Sequence, residues 1–180
     1  HYWDNGKTVI QQVTFTPINQ ESAATKRYLA GDIDITESFP KNLYQKLLKD
    51  TPGQVYTPPQ LGTYYYAFNT QKGPTADERV RLALSMTIDR RLMAEKILGT
   101  GEKPAWRFTP DVTAGFTPQP TQIESMSQAE LNAQAKALLQ AAGYGPNRPL
   151  KLTLLYNASE NHQKIAIAVA EGYPGEWPSA

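Results

Sequence analysis

The pattern of apolar and polar positions predicts four β-strands. In each of these short runs, β-branched, leucine or aromatic residues alternate at least in part with polar residues. A period of two is typical of a strand that places one face against a core. The predicted strands cover residues 9–16, 32–36, 63–69 and 150–156.

The predicted strand at 63–69 carries three consecutive tyrosines. Successive strand residues point to opposite faces of a sheet, so Tyr65 is expected on one face, and Tyr64 and Tyr66 on the other. Tyrosine combines rigid aromatic area with a hydroxyl, which suits the binding of polar organic ligands. The simpler interpretation is that these rings pack two adjoining layers of the fold.

Apolar residues at helical spacing predict helices between and after the strands. The clearest helix start is Ser127 with Glu130, because a serine followed three residues later by a glutamate forms a capping box. Residues 99–126 hold prolines and glycines without apolar periodicity and are predicted as a long loop, of a kind that is usually functional or mobile. The predicted helices cover residues 21–30, 40–48, 77–88, 90–98, 127–142 and 160–170.

Composition narrows the class of protein. Apolar residues make up 40% of the 180 residues, which is enough for a core, and 18 Lys and Arg against 17 Asp and Glu leave a net charge of +1. This balance argues against a nucleic-acid binder, which would carry a basic stripe. No apolar run approaches the roughly 18 residues of a membrane span, so we expect a chain that is not membrane-embedded. The absence of cysteine excludes disulfides, thiol catalysis and thiolate zinc sites.

The motifs expected of an enzyme are missing. The two histidines, His1 and His162, have no serine elbow or carboxylate at ligand spacing beside them. Asp32 and Asp34 share one face of a predicted strand and are best interpreted as a solvated face. We therefore expect no catalysis, no metal and no cofactor; an amidase or peptidase would lack its nucleophile, base or metal set.

His162 is a candidate binding residue, since it lies near the start of the last predicted helix. Free backbone N–H groups and the helix dipole favour an anion at that position, so a donor there could meet a carboxylate. The simpler alternative is an exposed histidine without a ligand.

Five segments together resemble the peptide-binding proteins of bacterial ABC importers. The resemblance runs over residues 1–170, and its combination of motifs is specific, although GDIDIT alone would be weak. Residues 171–180 depart from the family pattern, so we expect the chain to be a piece of a larger protein with a foreign tail. The segments are HYWDNGKTVIQQVTF, RYLAGDIDIT, LGTYYYAFNTQKGP, DERVRLALSMTIDRRLM and LTLLYNASENHQKIAIAVA.

The resemblance implies an α/β fold: part of a bilobal periplasmic binding protein of the class II, or cluster C, type, with a mixed sheet and flanking helices. Residues 1–66 would form the C-terminal part of the first lobe and residues 67–170 the N-terminal part of the second. The hinge would lie near residues 63–69, and residues 171–180 would be the tail.

The same resemblance implies the ligand-binding residues. The loop after the GDIDIT segment would line the cleft, the tyrosine strand would lie at the hinge with Tyr65 in the cleft, and Asn157 and His162 would lie near the carboxyl end of a peptide. Glu37 could pair with an amine such as that of diaminopimelate. The candidate site is Thr36, Glu37, Ser38, Phe39, Tyr64, Tyr65, Tyr66, Asn157 and His162.

Three departures from the family pattern favour a particular ligand. Gln60 replaces a cleft tyrosine, Gly62 replaces a cysteine and Ala67 replaces a glutamate. They weaken a general oligopeptide binder and favour binding of murein tripeptide (L-Ala-γ-D-Glu-meso-diaminopimelate). The expected function is to carry this peptide in the periplasm to an inner-membrane ABC permease, without a reaction. The alternatives are a general oligopeptide-binding protein and a truncated structural piece that binds nothing.

Overall fold

The computed structural model describes residues 2–172 and is built mainly from α-helices joined by irregular segments. Short 3₁₀ turns cover Asn5–Lys7, Lys41–Leu43 and Pro74–Ala76. A π-helical turn, Met93–Leu98, directly continues α4. The α-helices are α1 (Glu21–Leu29), α2 (Tyr44–Asp50), α3 (Glu78–Thr87), α4 (Arg90–Leu92), α5 (Gln122–Ser125), α6 (Gln128–Ala141) and α7 (Glu160–Glu171).

Local capping explains where the principal helices begin. The Ser127 hydroxyl accepts a hydrogen bond from the Glu130 N–H, and the Glu130 carboxylate accepts one from the Ser127 N–H, so the predicted capping box of α6 is confirmed. Asp77 caps α3 by accepting from the Arg79 N–H at 2.9 Å. Ser159 caps α7. Each cap satisfies an N–H that the first helical turn leaves without a partner.

The core lies where α3 packs against α6. Their apolar faces interlock at residues that are almost fully shielded from solvent, and Trp106, Met126 and Leu150 lie against them. Spacings of three and four residues put these side chains on one stripe of each helix, as predicted for both. The buried residues of this cluster are Val80, Ala83, Leu84, Met86, Leu131, Ala135 and Leu139.

The predicted mixed sheet is absent from residues 2–172, and this is a correction to the expected fold. An isolated bridge between Gly145 and Arg148 is the β-pairing found in that range. The four predicted strand segments form no ladder with one another. A strand sequence becomes a sheet only when a neighbouring strand supplies its hydrogen bonds, and these segments do not supply them to one another.

The chain divides into two compact units, His1–Phe39 and Pro40–Ala180. The first contains α1, whose last turn is followed by an ion pair between Arg27 and Asp32 at 3.7 Å. The second contains the core of α3 and α6, and α7. The lobe boundary expected at residues 66 and 67 lies inside the second unit and stays a prediction. Of the predicted tail, residues 173–180 lie outside the described residues, as does His1.

Residues 2–172 contain neither a membrane-spanning helix nor a group of side chains suited to a metal ion. No helix within residues 2–172 is both long and apolar enough to cross a membrane. Over the same range, histidine and carboxylate side chains form no group of three or more that could hold a metal ion.

Candidate ligand-binding site

Four of the predicted residues come together in the second unit, beside the start of α7. The Tyr64 and Tyr66 rings meet edge to face with centroids 5.7 Å apart. The centroid of the Tyr64 ring also lies 5.1 Å from that of the His162 imidazole, and His162 contacts Asn157. Residues separated by about a hundred positions in the sequence therefore form one polar and aromatic cluster, which we call the Tyr64–His162 cluster: Tyr64, Tyr66, Asn157 and His162.

The orientation of His162 is fixed by its neighbours. The Asn157 side-chain oxygen Oδ1 accepts a hydrogen bond from the Ser159 N–H at 3.3 Å and lies 2.6 Å from His162 Nδ1. Since an amide oxygen can only accept, Nδ1 must carry the proton that it shares with Asn157. The other ring nitrogen, Nε2, has no hydrogen-bond partner among residues 2–172. It accepts a hydrogen bond when the ring is neutral and donates one when the ring is protonated.

Helix α7 places a second donor set beside this ring. Ser159 is the N-cap, and its hydroxyl accepts from the His162 N–H at 3.4 Å. The first turn of a helix concentrates N–H groups and positive potential. The start of α7 therefore favours a negative charge close to His162.

The Tyr66 hydroxyl is the most unusual polar group of the cluster. It is shielded from solvent and makes no well-formed hydrogen bond within the described part of the chain. Burial, and secondarily the nearby Tyr64 hydroxyl, raise the pKa of Tyr66 far above its usual value. The Tyr64 hydroxyl is thus close enough to raise the pKa of Tyr66, but it does not form a well-aligned hydrogen bond with the Tyr66 hydroxyl. The hydroxyl therefore stays protonated at any physiological pH, and its donor capacity is not used by a well-formed hydrogen bond.

Tyr65 contacts a different aromatic residue from Tyr64 and Tyr66, which fits the predicted placement of the middle tyrosine on the opposite face. Its ring meets that of Phe108 at a centroid distance of 5.1 Å and an interplanar angle of 68°. The Thr63 hydroxyl donates to the Phe108 carbonyl at 2.7 Å, so the same loop is held at two points. Both rings remain more than half exposed. Sequence reasoning missed Phe108, whose only signal is an isolated aromatic residue within the 99–126 loop.

The predicted long loop at 99–126 is anchored through Arg107. The guanidinium of Arg107 pairs with Asp111 at 2.7 Å and with Glu124, and it also donates to the Gln119 carbonyl at 3.1 Å. Helix α5 lies within this loop. These contacts bring the two ends of the Phe108-bearing segment together, so the position of Phe108 depends on an ion-pair network.

The other four predicted site residues lie at the end of the first unit. The Thr36 hydroxyl donates to the Ser38 carbonyl at 2.9 Å, which stabilises the turn after the GDIDIT segment. Glu37 and Ser38 are exposed, whereas Thr36 and Phe39 are partly covered. Their role in binding a ligand stays a prediction.

An open cavity of about 260 Å³ beside α4 is a weaker candidate. The Arg90 guanidinium on its wall stacks over the Trp106 ring, 4.9 Å from the ring centroid. Arg90 also donates to the carbonyls of Ser85, Ile88 and Ala105. A guanidinium with its donors used in this way joins loop to helix and has little capacity left for a ligand.

Comparison with known proteins gives consistent matches. The family model described as "Bacterial extracellular solute-binding proteins, family 5 Middle" matches residues 1–172. The periplasmic murein peptide-binding protein MppA of Escherichia coli is 88% identical over 170 residues, which are 94% of this chain and 32% of that protein. The periplasmic oligopeptide-binding protein OppA of Salmonella typhimurium is 45% identical over 170 residues, which are 94% of this chain and 31% of that protein.

A solved structure matches over the same region. The structure of the Escherichia coli murein tripeptide-binding protein MppA superposes with a TM-score of 0.94 at 84% identity, over 97% of this chain and 34% of that chain. The chain thus spans about a third of the length of the relatives that it matches.

Proposed function

The chain belongs to the bacterial extracellular solute-binding proteins of family 5, and from this membership we propose that it forms part of a periplasmic protein that binds murein tripeptide. The 88% identity to the Escherichia coli murein peptide-binding protein supports this ligand more than the 45% identity to an oligopeptide-binding protein supports a general peptide. The matched region has the fold of these periplasmic binding proteins.

The Tyr64–His162 cluster is the observation that carries the proposal. It combines aromatic faces, a protonated and buried Tyr66 hydroxyl, and a histidine held by Asn157 at the start of a helix. These groups suit a peptide carboxylate, which needs donors and positive potential, next to backbone that packs on flat rings. Tyr65 lies on the opposite face of its segment, next to Phe108, and we include it in the proposed binding site.

We extend the proposal to the residues that follow the GDIDIT segment. Glu37 would pair with a ligand amine, and the side-chain amine of diaminopimelate is such a group. Thr36, Ser38 and Phe39 would line the cleft beside it. An exposed carboxylate supports this assignment because the charge is available to a ligand.

The proposed cycle contains no chemical reaction. The peptide would be bound in the periplasm and handed to an inner-membrane ABC permease, as the family membership implies. Its charges would be met by fixed donors and acceptors, with closure of two lobes burying it.

A chimera tests the proposal. Residues 1–170 of this chain replace the matched 170 residues of the Escherichia coli murein peptide-binding protein, and calorimetry compares murein tripeptide with a lysine-rich tripeptide. We expect the chimera to prefer murein tripeptide as strongly as the unmodified Escherichia coli protein does. Equal affinity for both peptides would favour a general oligopeptide binder. Loss of all binding in a folded chimera would indicate that this region is structural.

A further inference from the structure

A polar cluster outside the candidate site joins the turn before α2 to a distant loop. The Lys41 ammonium lies in this turn and donates to the Thr100 hydroxyl and to the Glu102 carboxylate, both at 2.9 Å. The Glu102 carboxylate also accepts from the Thr100 N–H at 3.0 Å. Lys41 thus fixes a loop that follows it by about sixty residues in the sequence.

The same turn is attached to the beginning of α7. The Lys41 N–H donates to the Asn161 side-chain oxygen at 3.3 Å, and the Lys164 ammonium donates to that of Asn42 at 3.1 Å. Asn161 is almost fully buried and directly precedes His162. The turn therefore contacts the part of α7 that carries the proposed ligand-binding histidine. We call this group of contacts the Lys41 clasp: Lys41, Asn42, Thr100, Glu102, Asn161 and Lys164.

The ion pair at the centre of the clasp is partly shielded from water. The Lys41 and Glu102 side chains are 27% and 33% exposed. Burial by itself would raise the pKa of Glu102, but the hydrogen bonds from Thr100 and Lys41 outweigh burial and lower this pKa. Placing a like charge opposite either partner should therefore break the clasp.

The clasp differs in kind from the core of the same unit. Neither the turn Lys41–Leu43 nor α2 contributes a residue to the apolar cluster of α3 and α6. Water can replace the partners of a polar contact at a small net cost, whereas separating packed apolar faces loses much more free energy. A rearrangement within this unit would therefore break the clasp before it disturbs the core.

Two solved structures indicate that a second arrangement exists. This chain superposes on the Escherichia coli MppA structure with a TM-score of 0.94, but on an MppA structure described as the unliganded open form with a TM-score of 0.68. The sequence identities are 84% and 85%, and the matches cover 97% and 96% of this chain. The two structures therefore differ in backbone arrangement within the third that this chain spans.

We propose that the Lys41 clasp is a conformational latch. It holds residues 41–50 against the loop at 99–102 and the start of α7, and it is broken in a second, more open arrangement of the chain. The balance between the two arrangements depends on the Lys41–Glu102 pair. The latch itself requires no peptide, and only its effect on peptide binding rests on the proposed function.

Fluorescence energy transfer in the isolated chain tests the latch without peptide. The sequence has no cysteine, so Lys49→Cys on α2 and Ala137→Cys on α6, both exposed, provide one labelled pair. We expect a predominant short distance in this labelled parent. Lys41→Glu places two negative charges in the clasp and should lower the ratio of closed to open molecules at least about threefold. Adding Glu102→Lys restores opposite charges and should recover most of the closed population.

Lys46→Glu is the matched control. Lys46 is exposed and pairs with Asp50 inside α2, so this substitution makes the same change of charge without altering the clasp. It should leave the distance distribution of the parent unchanged. Circular dichroism reports whether each variant is folded, and Lys41→Gln, which removes the charge without adding repulsion, should shift the distance in the same direction as Lys41→Glu.

Peptide release from the chimera measures the effect on binding. In the chimera that carries residues 1–170, Lys41→Glu should speed dissociation of murein tripeptide about three- to tenfold, since losing a shielded charge pair acts mainly on the dissociation rate. The double variant should release the peptide nearly as slowly as the parent chimera. Lys46→Glu should leave the rate unchanged.

Three results of the distance measurement would overturn the latch. The first is the same distance distribution in the parent, Lys41→Glu and Lys41→Gln. The second is an equal shift in Lys46→Glu, and the third is a double variant that stays as open as Lys41→Glu. A chimera that binds no peptide would instead contradict the proposed function, and the distances in the isolated chain would still decide whether the latch exists.

Discussion

At the scale of single residues, the proposed site depends on one proton. The Ser159 N–H and His162 Nδ1 share the same Asn157 oxygen, so the Nδ1 proton is directed inward and Nε2 is left for a ligand, to which it donates only when the ring carries a second proton. A histidine held in one orientation loses little side-chain entropy when it binds. In the proposed site, Asn157 would therefore act as a positioning residue and His162 would touch the peptide.

Replacing His162 tests this assignment. We expect His162→Ala in the chimera to weaken binding of murein tripeptide by about 1–3 kcal/mol, because a hydrogen bond to a charged group is lost. This corresponds to a roughly five- to 150-fold rise in Kd. Gln163→Ala, which changes an exposed neighbour on α7, is the matched control and should bind like the parent. Unchanged affinity in His162→Ala would return this residue to the role of an exposed histidine.

Tyr66 gives a prediction about stability that needs no ligand. Its hydroxyl is buried without a well-formed hydrogen bond in the described part of the chain, and an unsatisfied group of this kind costs about 1–3 kcal/mol. Tyr66→Phe removes the hydroxyl and keeps the ring, so we expect the free energy of unfolding of the isolated chain to rise. Urea unfolding measures it. Tyr64→Phe is the control, since the Tyr64 side chain is half exposed.

Tyr66 should also make the free energy of unfolding depend on pH. The pKa of Tyr66 is raised in the folded chain, whereas in the unfolded chain it takes the ordinary value of about 10. The folded state then holds the proton more tightly, so its stability should fall as the pH rises above about 10. The loss should be smaller in Tyr66→Phe. Parallel pH profiles for the two proteins would contradict burial of this hydroxyl.

At the scale of elements, short-range patterns predicted helices and failed for strands. Ser127 and Glu130 lie three residues apart, and their reciprocal hydrogen bonds are set by that spacing. The start of α6 can therefore be predicted from the local sequence alone. The tyrosine segment carries an equally strong pattern, but its ladder requires partners that residues 2–172 do not offer. The contact between Phe108 and Tyr65 could not be predicted for a related reason. It depends on a loop that is held by Arg107, Asp111 and Glu124, which lie far from Tyr65 in the sequence.

The cap of α6 can be tested by itself. Ser127→Ala removes the acceptor for the Glu130 N–H, and loss of an N-cap costs about 1 kcal/mol. We expect a lower free energy of unfolding in urea, because α6 is one of the two helices that form the main core. Ser125→Ala is the control, since Ser125 lies just before the cap and donates only to the Gln122 carbonyl within short α5. Equal effects of the two substitutions would argue against a specific cap.

At the scale of the whole molecule, the residues of the proposed binding site fall in both compact units of the chain. The Tyr64–His162 cluster lies in the second compact unit, and residues 36–39 end the first. Under the proposal, the first group would provide donors for a carboxylate and the second a carboxylate for an amine, so each would offer only part of what a charged tripeptide needs. A peptide binder that buries its ligand requires both, together with the groups that meet the peptide backbone.

The isolated chain should therefore bind murein tripeptide weakly or undetectably, whereas the chimera should bind it as the Escherichia coli protein does. The chain spans about a third of that relative, so most of the surface that would enclose a ligand has no counterpart in it. Without enclosure, water screens the charge pairs and their contribution falls to that of exposed contacts. Calorimetry of both proteins under one set of conditions measures the difference. Micromolar or tighter binding by the isolated chain would show that this region recognises the peptide without the other two thirds of the relative's length.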